Sequence, residues 1–108
     1  MSPIIGTYTN AALGVKLVIS EADDSNGMIK GQVSLLGFTS PIQGVWNTST
    51  ISPNAVFEFS GGVGSPTYVV GGVGAALDFQ TFANTNISIS VASKGGVITH
   101  VNGLFVRS

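Results

Sequence analysis

The 108-residue chain contains no cysteine, which excludes disulfides, thiol catalysis and thiolate metal sites. Charge is scarce as well: Asp, Glu, Lys and Arg together make up 8% of the residues, about a third of the ~25% usual in globular proteins. The net charge is −1, and the four basic residues, Lys16, Lys30, Lys94 and Arg107, are scattered. Nucleic acid and anionic membranes need clustered Lys and Arg, so neither is expected as a partner. Long apolar runs are also missing, and the opening Met-Ser-Pro-Ile-Ile-Gly has no basic stretch followed by an apolar one. The sequence therefore reads as soluble, with no visible signal peptide and no indication of compartment.

There is a single histidine, His100, so a nucleophile–base pair has one candidate base, and no serine sits in a Gly-x-Ser-x-Gly elbow. By alternation His100 falls on a late strand among Val97, Thr99 and Val101, where a surface or subunit contact is expected. For metals, only Glu21, Asp23, Asp24, Glu58 and Asp78 join it as strong ligands, and three of those five share one hairpin. Glu58 and Asp78 could form a glycosidase pair, but nothing in the spacing sets them across a cleft. We expect no enzyme, no cofactor and no metal.

What the chain does have is 44% apolar residues, fifteen glycines and many Ser, Thr and Asn. This is enough for one domain spanning residues 1–108, with roughly two-thirds of the unfolded surface buried. Period-2 alternation between turn residues recurs throughout, and no helical periodicity persists for three turns. Strands are expected near 3–11, 15–22, 27–36, 40–48, 54–62, 67–77, 83–93 and 97–107, hence an all-β barrel or sandwich. Ala22-Asp23-Asp24-Ser25-Asn26-Gly27 lacks calcium-loop spacing and is expected to be an Asn-Gly hairpin turn. Gly61 to Pro66 lacks the lysine of a phosphate loop and is expected to be a strand connection. The Asn47 and Asn86 sequons read as chance occurrences. Low charge with 44% apolar residues points to a homo-oligomer.

Five segments in order resemble the avidin/streptavidin family. Gly6-Thr7-Tyr8-Thr9-Asn10 is similar to its Gly-Thr-Trp-x-Asn opening, and Asn26-Gly27 through Gly31 to its Gly-x-x-x-Gly-Thr-Tyr segment. Ser40-Pro41-Ile42-Gln43-Gly44 resembles Ser-Pro-Leu-x-Gly, Phe57-Glu58-Phe59-Ser60 resembles Phe-Gly-Phe-Thr, and Gly103 to Arg107 resembles the terminal Asn-Ile-Phe-Thr-Arg. The resemblance rests on collinearity rather than on any one motif. It implies an eight-stranded antiparallel up-and-down β-barrel, an open end for a small ligand, dimers or tetramers, and a closing contact between Tyr8 and Arg107. Alternation then puts Tyr8, Asn10, Leu17, Ile19, Ile29, Gly31, Val33, Leu35, Phe57, Phe59, Val69, Val73, Ile87, Ile89 and Phe105 inside. Trp46 matches no ligand position and is expected to pack in the barrel or at a subunit contact.

The same resemblance implies a ligand site, matched here residue by residue. Asn10 corresponds to a ureido-oxygen donor, Ser65 to a rim hydroxyl and Thr67 to the hydroxyl near the sulfur. Val15 and Val33 replace the other two donors, and Leu35 adds to the lining. Val63, Val69, Ile87 and Gly95 stand where the family has tryptophans. Gly103 replaces the ureido N–H acceptor unless a one-residue shift puts Asn102 there. Each neutral hydrogen bond is worth about 0.5–1.5 kcal/mol and each buried unpaired group costs about 1–3 kcal/mol, so biotin binding is expected to be weak or lost. Two functions are expected about equally: a binder of a small apolar or biotin-like ligand, and a homo-oligomeric scaffold, interaction or defence protein acting through its outer surface.

Overall fold

The computed structural model describes residues 3–48, 54–64, 67–78 and 81–108. Eight strands follow one another: β1 (Gly6–Asn10), β2 (Val15–Asp23), β3 (Met28–Leu35), β4 (Phe38–Thr48), β5 (Ala55–Gly64), β6 (Thr67–Ala76), β7 (Asn84–Ser93) and β8 (Ile98–Arg107). Each pairs antiparallel with its neighbour in sequence, and β8 returns to β1 to close the barrel. The expected all-β, up-and-down architecture is what forms, and no helix occurs among the described residues.

Local chemistry fixes the turns. Leu35 pairs with Phe38, leaving Leu36 (φ 51°) and Gly37 (φ 81°) as the two central residues of the β3–β4 hairpin. Positive φ at both is the type I′ requirement, whose twist matches that of the flanking strands. The Asp23–Gly27 segment is the hairpin turn expected of Asn-Gly: Gly27 has φ 75° and its N–H donates to Asp23 O at 2.8 Å. Asp23 Oδ1 accepts from the Ser25 N–H and hydroxyl at 2.9 and 2.6 Å, and these bonds hold its carboxyl below the usual range. Gly61 to Gly64, expected to be connection, extends β5 instead.

The barrel interior is filled from all sides. Tyr8, Leu17, Ile19, Ile29, Val33, Phe59, Ile87, Ile89 and Phe105 are essentially inaccessible, and a fully buried side chain of this size contributes about 1.5–3 kcal/mol. On β6 the alternation runs opposite to expectation. Val69 and Val73 point outward, 62% and 58% exposed, while Tyr68, Val70, Gly72, Gly74 and Ala76 face inward. The cause lies on β5, where Phe57 pairs with Gly74 and Phe59 with Gly72. A Cβ on Gly72 would lie 2.5 Å from the Phe59 ring, and one on Gly74 would collide with the Phe57 ring. The glycines provide the volume that the two rings occupy.

One barrel end is sealed. Phe82 packs edge-on against Tyr8 and Trp46, with ring centroids 6.5 and 5.8 Å away. It is fully buried and held at φ 51°, a left-handed conformation that costs a non-glycine residue roughly 1–2 kcal/mol and persists only because the surroundings over-determine it. Arg107, paired with Tyr8 across the β1–β8 seam, donates to Ile5 O at 2.6 Å and Thr81 O at 3.1 Å.

Candidate functional site

At the opposite end, where β1 and β3 finish and β2 and β4 begin, the residues expected to form a ligand site divide into three groups. Asn10, Val15, Val33, Leu35, Val63, Ile87 and Gly103 lie on inward positions; Thr67 and Val69 face outward; Ser65 lies outside the described residues. The outward placement of Thr67 and Val69 corrects their assignment to the lining, and it follows from the β6 alternation set by Gly72 and Gly74. Thr67 Oγ1 instead donates to Gly64 O at 2.9 Å. Gly103 is inward and Asn102 outward, which decides the register left open between them.

The inward set forms no polar cradle. Asn10 Nδ2 donates to Leu104 O, and Asn10 Oδ1 accepts from the Leu13 N–H, both at 3.0 Å. Its carboxamide thus folds the β1–β2 turn over Gly103, where a Cβ would meet Asn10 Nδ2 at 2.9 Å. Val15, Val33, Leu35 and Ile87 are buried in the core, and Val63 packs against it. Phe38 and Tyr68, both inward at this end, stack with centroids 4.3 Å apart and planes 3° from parallel. This end of the barrel is thus lined by apolar and aromatic side chains. A shallow groove of about 620 Å³ does bring Asn10, Val15 and Leu35 together at the rim, beside Lys16 and Phe38.

The outer wall is different in kind. A second groove of about 620 Å³ crosses the outside of β4 to β8, with Val45, Val56, Glu58, Val73, Ala75 and Asn86 among its lining. Strand register builds it: Asn47, Val56, Ala75, Asn86 and Leu104 form one row across the wall, and Val45, Glu58, Val73, Ser88 and Asn102 form the next. Across these five strands Glu58 and His100 are the outward titratable groups; Arg107 is turned to the sealed end. Strands β2 and β3, by contrast, carry Lys16, Glu21, Asp23 and Lys30.

His100 stands in the following row, opposite Ser90. Its ring is held by two hydroxyls of β7: Nε2 lies 3.2 Å from Ser88 Oγ, and Nδ1 lies 3.0 Å from Ser90 Oγ. The expected placement of His100 on an outer face is what the strand register produces. Among the described residues both ring nitrogens face serine hydroxyls and not a carboxylate, and no group of three or more His, Asp or Glu is close enough to hold a metal. Sequence reasoning did not single out Val45, Val56, Ala75 or the Ser88–His100–Ser90 group. The available signal was the near-absence of charge from residue 31 to residue 106 on both parities, which marks a wall apolar on two faces. No family model, no curated protein and no solved structure matches the chain.

Proposed function

We propose that this chain is a non-enzymatic scaffold barrel that associates with a second copy of itself through the outer face of β4 to β8. The observation that carries the proposal is the asymmetry of the wall: its apolar groove lies outside the barrel, while the lumen is packed. Val45, Val56, Val69, Val73, Ile98, Leu104 and Val106 are each 47–73% exposed on this face. Together they leave on the order of 600 Å² of apolar residue surface, near the ~800 Å² per partner of a standard interface and at the upper limit for a monomer's largest patch. A second copy suits the face because the chain is poor in charge throughout, so few ionisable groups are desolvated when two such faces meet.

The resemblance to the avidin family then extends to a barrel that pairs, and not to a biotin pocket. Ligand binding in the lumen is the less favoured function, because Asn10 spends both amide groups on the backbone and the Phe38–Tyr68 stack stands in the mouth.

Size exclusion with light scattering tests the proposal. The chain at tens of micromolar is expected to be dimeric or larger. Val73→Lys should give monomers with unchanged circular dichroism, whereas Gln32→Lys, on the outer face of β3, should leave assembly intact. A monodisperse monomer of the unmodified chain overturns it.

A further inference from the structure

We infer that the first half of β8, from Ile98 to Asn102, is a docking edge for an extended, uncharged peptide segment of another protein, which adds a strand to the barrel wall beyond the end of β1. The inference does not depend on the self-association proposed above, because it uses free backbone at the barrel rim and not the outer face.

Unequal strand lengths create the edge. β1 has five residues and β8 has ten, and their register is confined to Tyr8 with Arg107 and Thr9 with Val106. Hydrogen bonds show which way the rest of β8 points. The Arg107 N–H donates to Ala83 O at 3.2 Å and Val97 O accepts from the Ser93 N–H at 2.9 Å, so odd-numbered residues bond toward β7. The Ser108 N–H donates to Thr7 O at 2.8 Å, so even-numbered residues bond toward β1, as the alternation of an antiparallel ladder requires. Asn10 closes that ladder with its side chain, Nδ2 donating to Leu104 O at 3.0 Å. Beyond it, the N–H and C=O groups of Asn102, His100 and Ile98 face no strand among the described residues.

Packing records the same gap. Ile89 and Val91 of β7 are buried, but their inward-facing partners on β8, Val101 and Thr99, are only half-buried. β2 also outruns β1, from Ser20 to Asp23, yet that edge has a bulge after Ile19 and carries Glu21 and Asp23. Bulges and charges are devices by which sheets keep other strands away. The β8 edge has neither: its register with β7 is unbroken, and no Asp, Glu, Lys, Arg or Pro occurs from Gly95 to Val106.

These features select the occupant. Donors and acceptors alternating at strand spacing are matched by an extended main chain, whose backbone bonds give affinity while alternate side chains give specificity. Run antiparallel to β8, the incoming strand continues the line of β1. Its residues opposite Thr99 and Val101 turn inward near Leu13 of the β1–β2 tip, which already reaches over Gly103, so branched apolar side chains suit those places. Residues opposite Ile98, His100 and Asn102 turn outward, where neutral polar side chains suffice. An ionic side chain on the segment would meet no Asp, Glu, Lys or Arg on this edge.

The probe is the acetylated and amidated pentapeptide Thr-Val-Thr-Val-Thr, added to the full chain and followed by amide hydrogen exchange in NMR. In the free chain the N–H groups of Ile98, His100 and Asn102 should exchange fast and those of Thr99, Val101 and Gly103 slowly. Peptide at about 1–5 mM, the range suited to so short a ligand, should slow the first set and leave the second unchanged. N-methylation of the threonines, whose N–H groups face β8, should weaken binding roughly tenfold or more, whereas N-methylation of the valines should leave it within about twofold. His100→Pro removes an N–H that faces away from β7, a position where an edge strand tolerates proline. It should keep the circular dichroism spectrum and lose the peptide; the methylated peptides make the same test on the unmodified chain. All measurements are repeated on Val73→Lys, so that outer-face assembly does not enter. Slow exchange of Ile98, His100 and Asn102 in the free chain at every concentration would mean that the edge is closed. Protection that grows with the concentration of Val73→Lys would make the occupant a second copy. No protection by peptide at about 5 mM, or equal binding of the two methylated peptides, would mean that no strand adds there. Each of these results overturns the inference and leaves the outer-face proposal standing.

Discussion

Tyr8 and Arg107 face each other across the seam that closes the barrel, and both act on the segment just before β1. The Tyr8 hydroxyl donates to Ile4 O at 2.6 Å, while the Arg107 guanidinium donates to Ile5 O. Burial pushes the Tyr8 hydroxyl up to about 12, with Arg107 pulling in the opposite direction. In an unfolded chain tyrosine ionises near 10. Between these values the unfolded state releases a proton that the folded state keeps, so stability falls as pH rises from about 10 to about 12. Tyr8→Phe should cost about 1 kcal/mol at neutral pH through the lost hydrogen bond. It should also lose less melting temperature between pH 8 and pH 11 than the unmodified chain does; equal losses would mean that Tyr8 does not titrate late.

The glycines of β6 give a second prediction within four residues. Gly74→Ala drives a Cβ into the Phe57 ring and should destabilise by about 1–3 kcal/mol, the usual range for overpacking. Gly71→Ala places its Cβ on the outer wall, where Phe59 O at 3.7 Å is the nearest atom, so stability should change by about 0.5 kcal/mol or less, toward either sign. Urea denaturation of the two variants side by side measures the difference.

These glycines also show what could be read from the sequence. All eight strands were legible because turn residues punctuate period-2 runs, and the Asn26-Gly27 hairpin follows from its dipeptide alone. The inward face of β6 was not. Tyr68-Val69-Val70-Gly71-Gly72-Val73-Gly74 carries valines on both parities, and an inward-apolar rule selects Val69 and Val73. The rule fails because the outer wall is apolar too and the inward places are left empty for rings from β5. A usable clue was present in the matched spacing of Phe57 and Phe59 with Gly72 and Gly74, but it becomes meaningful only once the register is known. The same holds for Ser88, Ser90 and His100: each serine is ten or twelve residues from the histidine in sequence, and they meet only across β7 and β8.

Trp46 carries a different liability. Its Nε1 is buried with no hydrogen-bond partner, while its ring packs edge-on against Phe82. Trp46→Phe removes the unpaired donor, whose burial costs about 1–3 kcal/mol, and keeps an aromatic edge for Phe82. It should therefore be neutral or stabilising in thermal melts. Trp46→Ala, which empties the site, should cost about 3–5 kcal/mol.

Biotin provides a direct test of the packed mouth. With Asn10 committed to Leu104 O and the Leu13 N–H, and with valines at 15 and 33, titration calorimetry should give a dissociation constant weaker than about 1 μM. Nanomolar binding would require the Phe38–Tyr68 stack to open and Asn10 to abandon both bonds.

Closure of the barrel also governs what kind of aggregate this protein can form. Where strands are paired on both sides, a closed sheet offers no free backbone edge for another chain to extend. The weak point is the seam, where the paired residues are Tyr8 with Arg107 and Thr9 with Val106. If β1 peels away, β8 is left with unsatisfied backbone along Leu104, Phe105 and Val106, a hydrophobic edge able to template strand-to-strand polymerisation. By tying Ile5 and Thr81 together across that seam, Arg107 acts as a latch that keeps this edge of β8 from being offered to another chain.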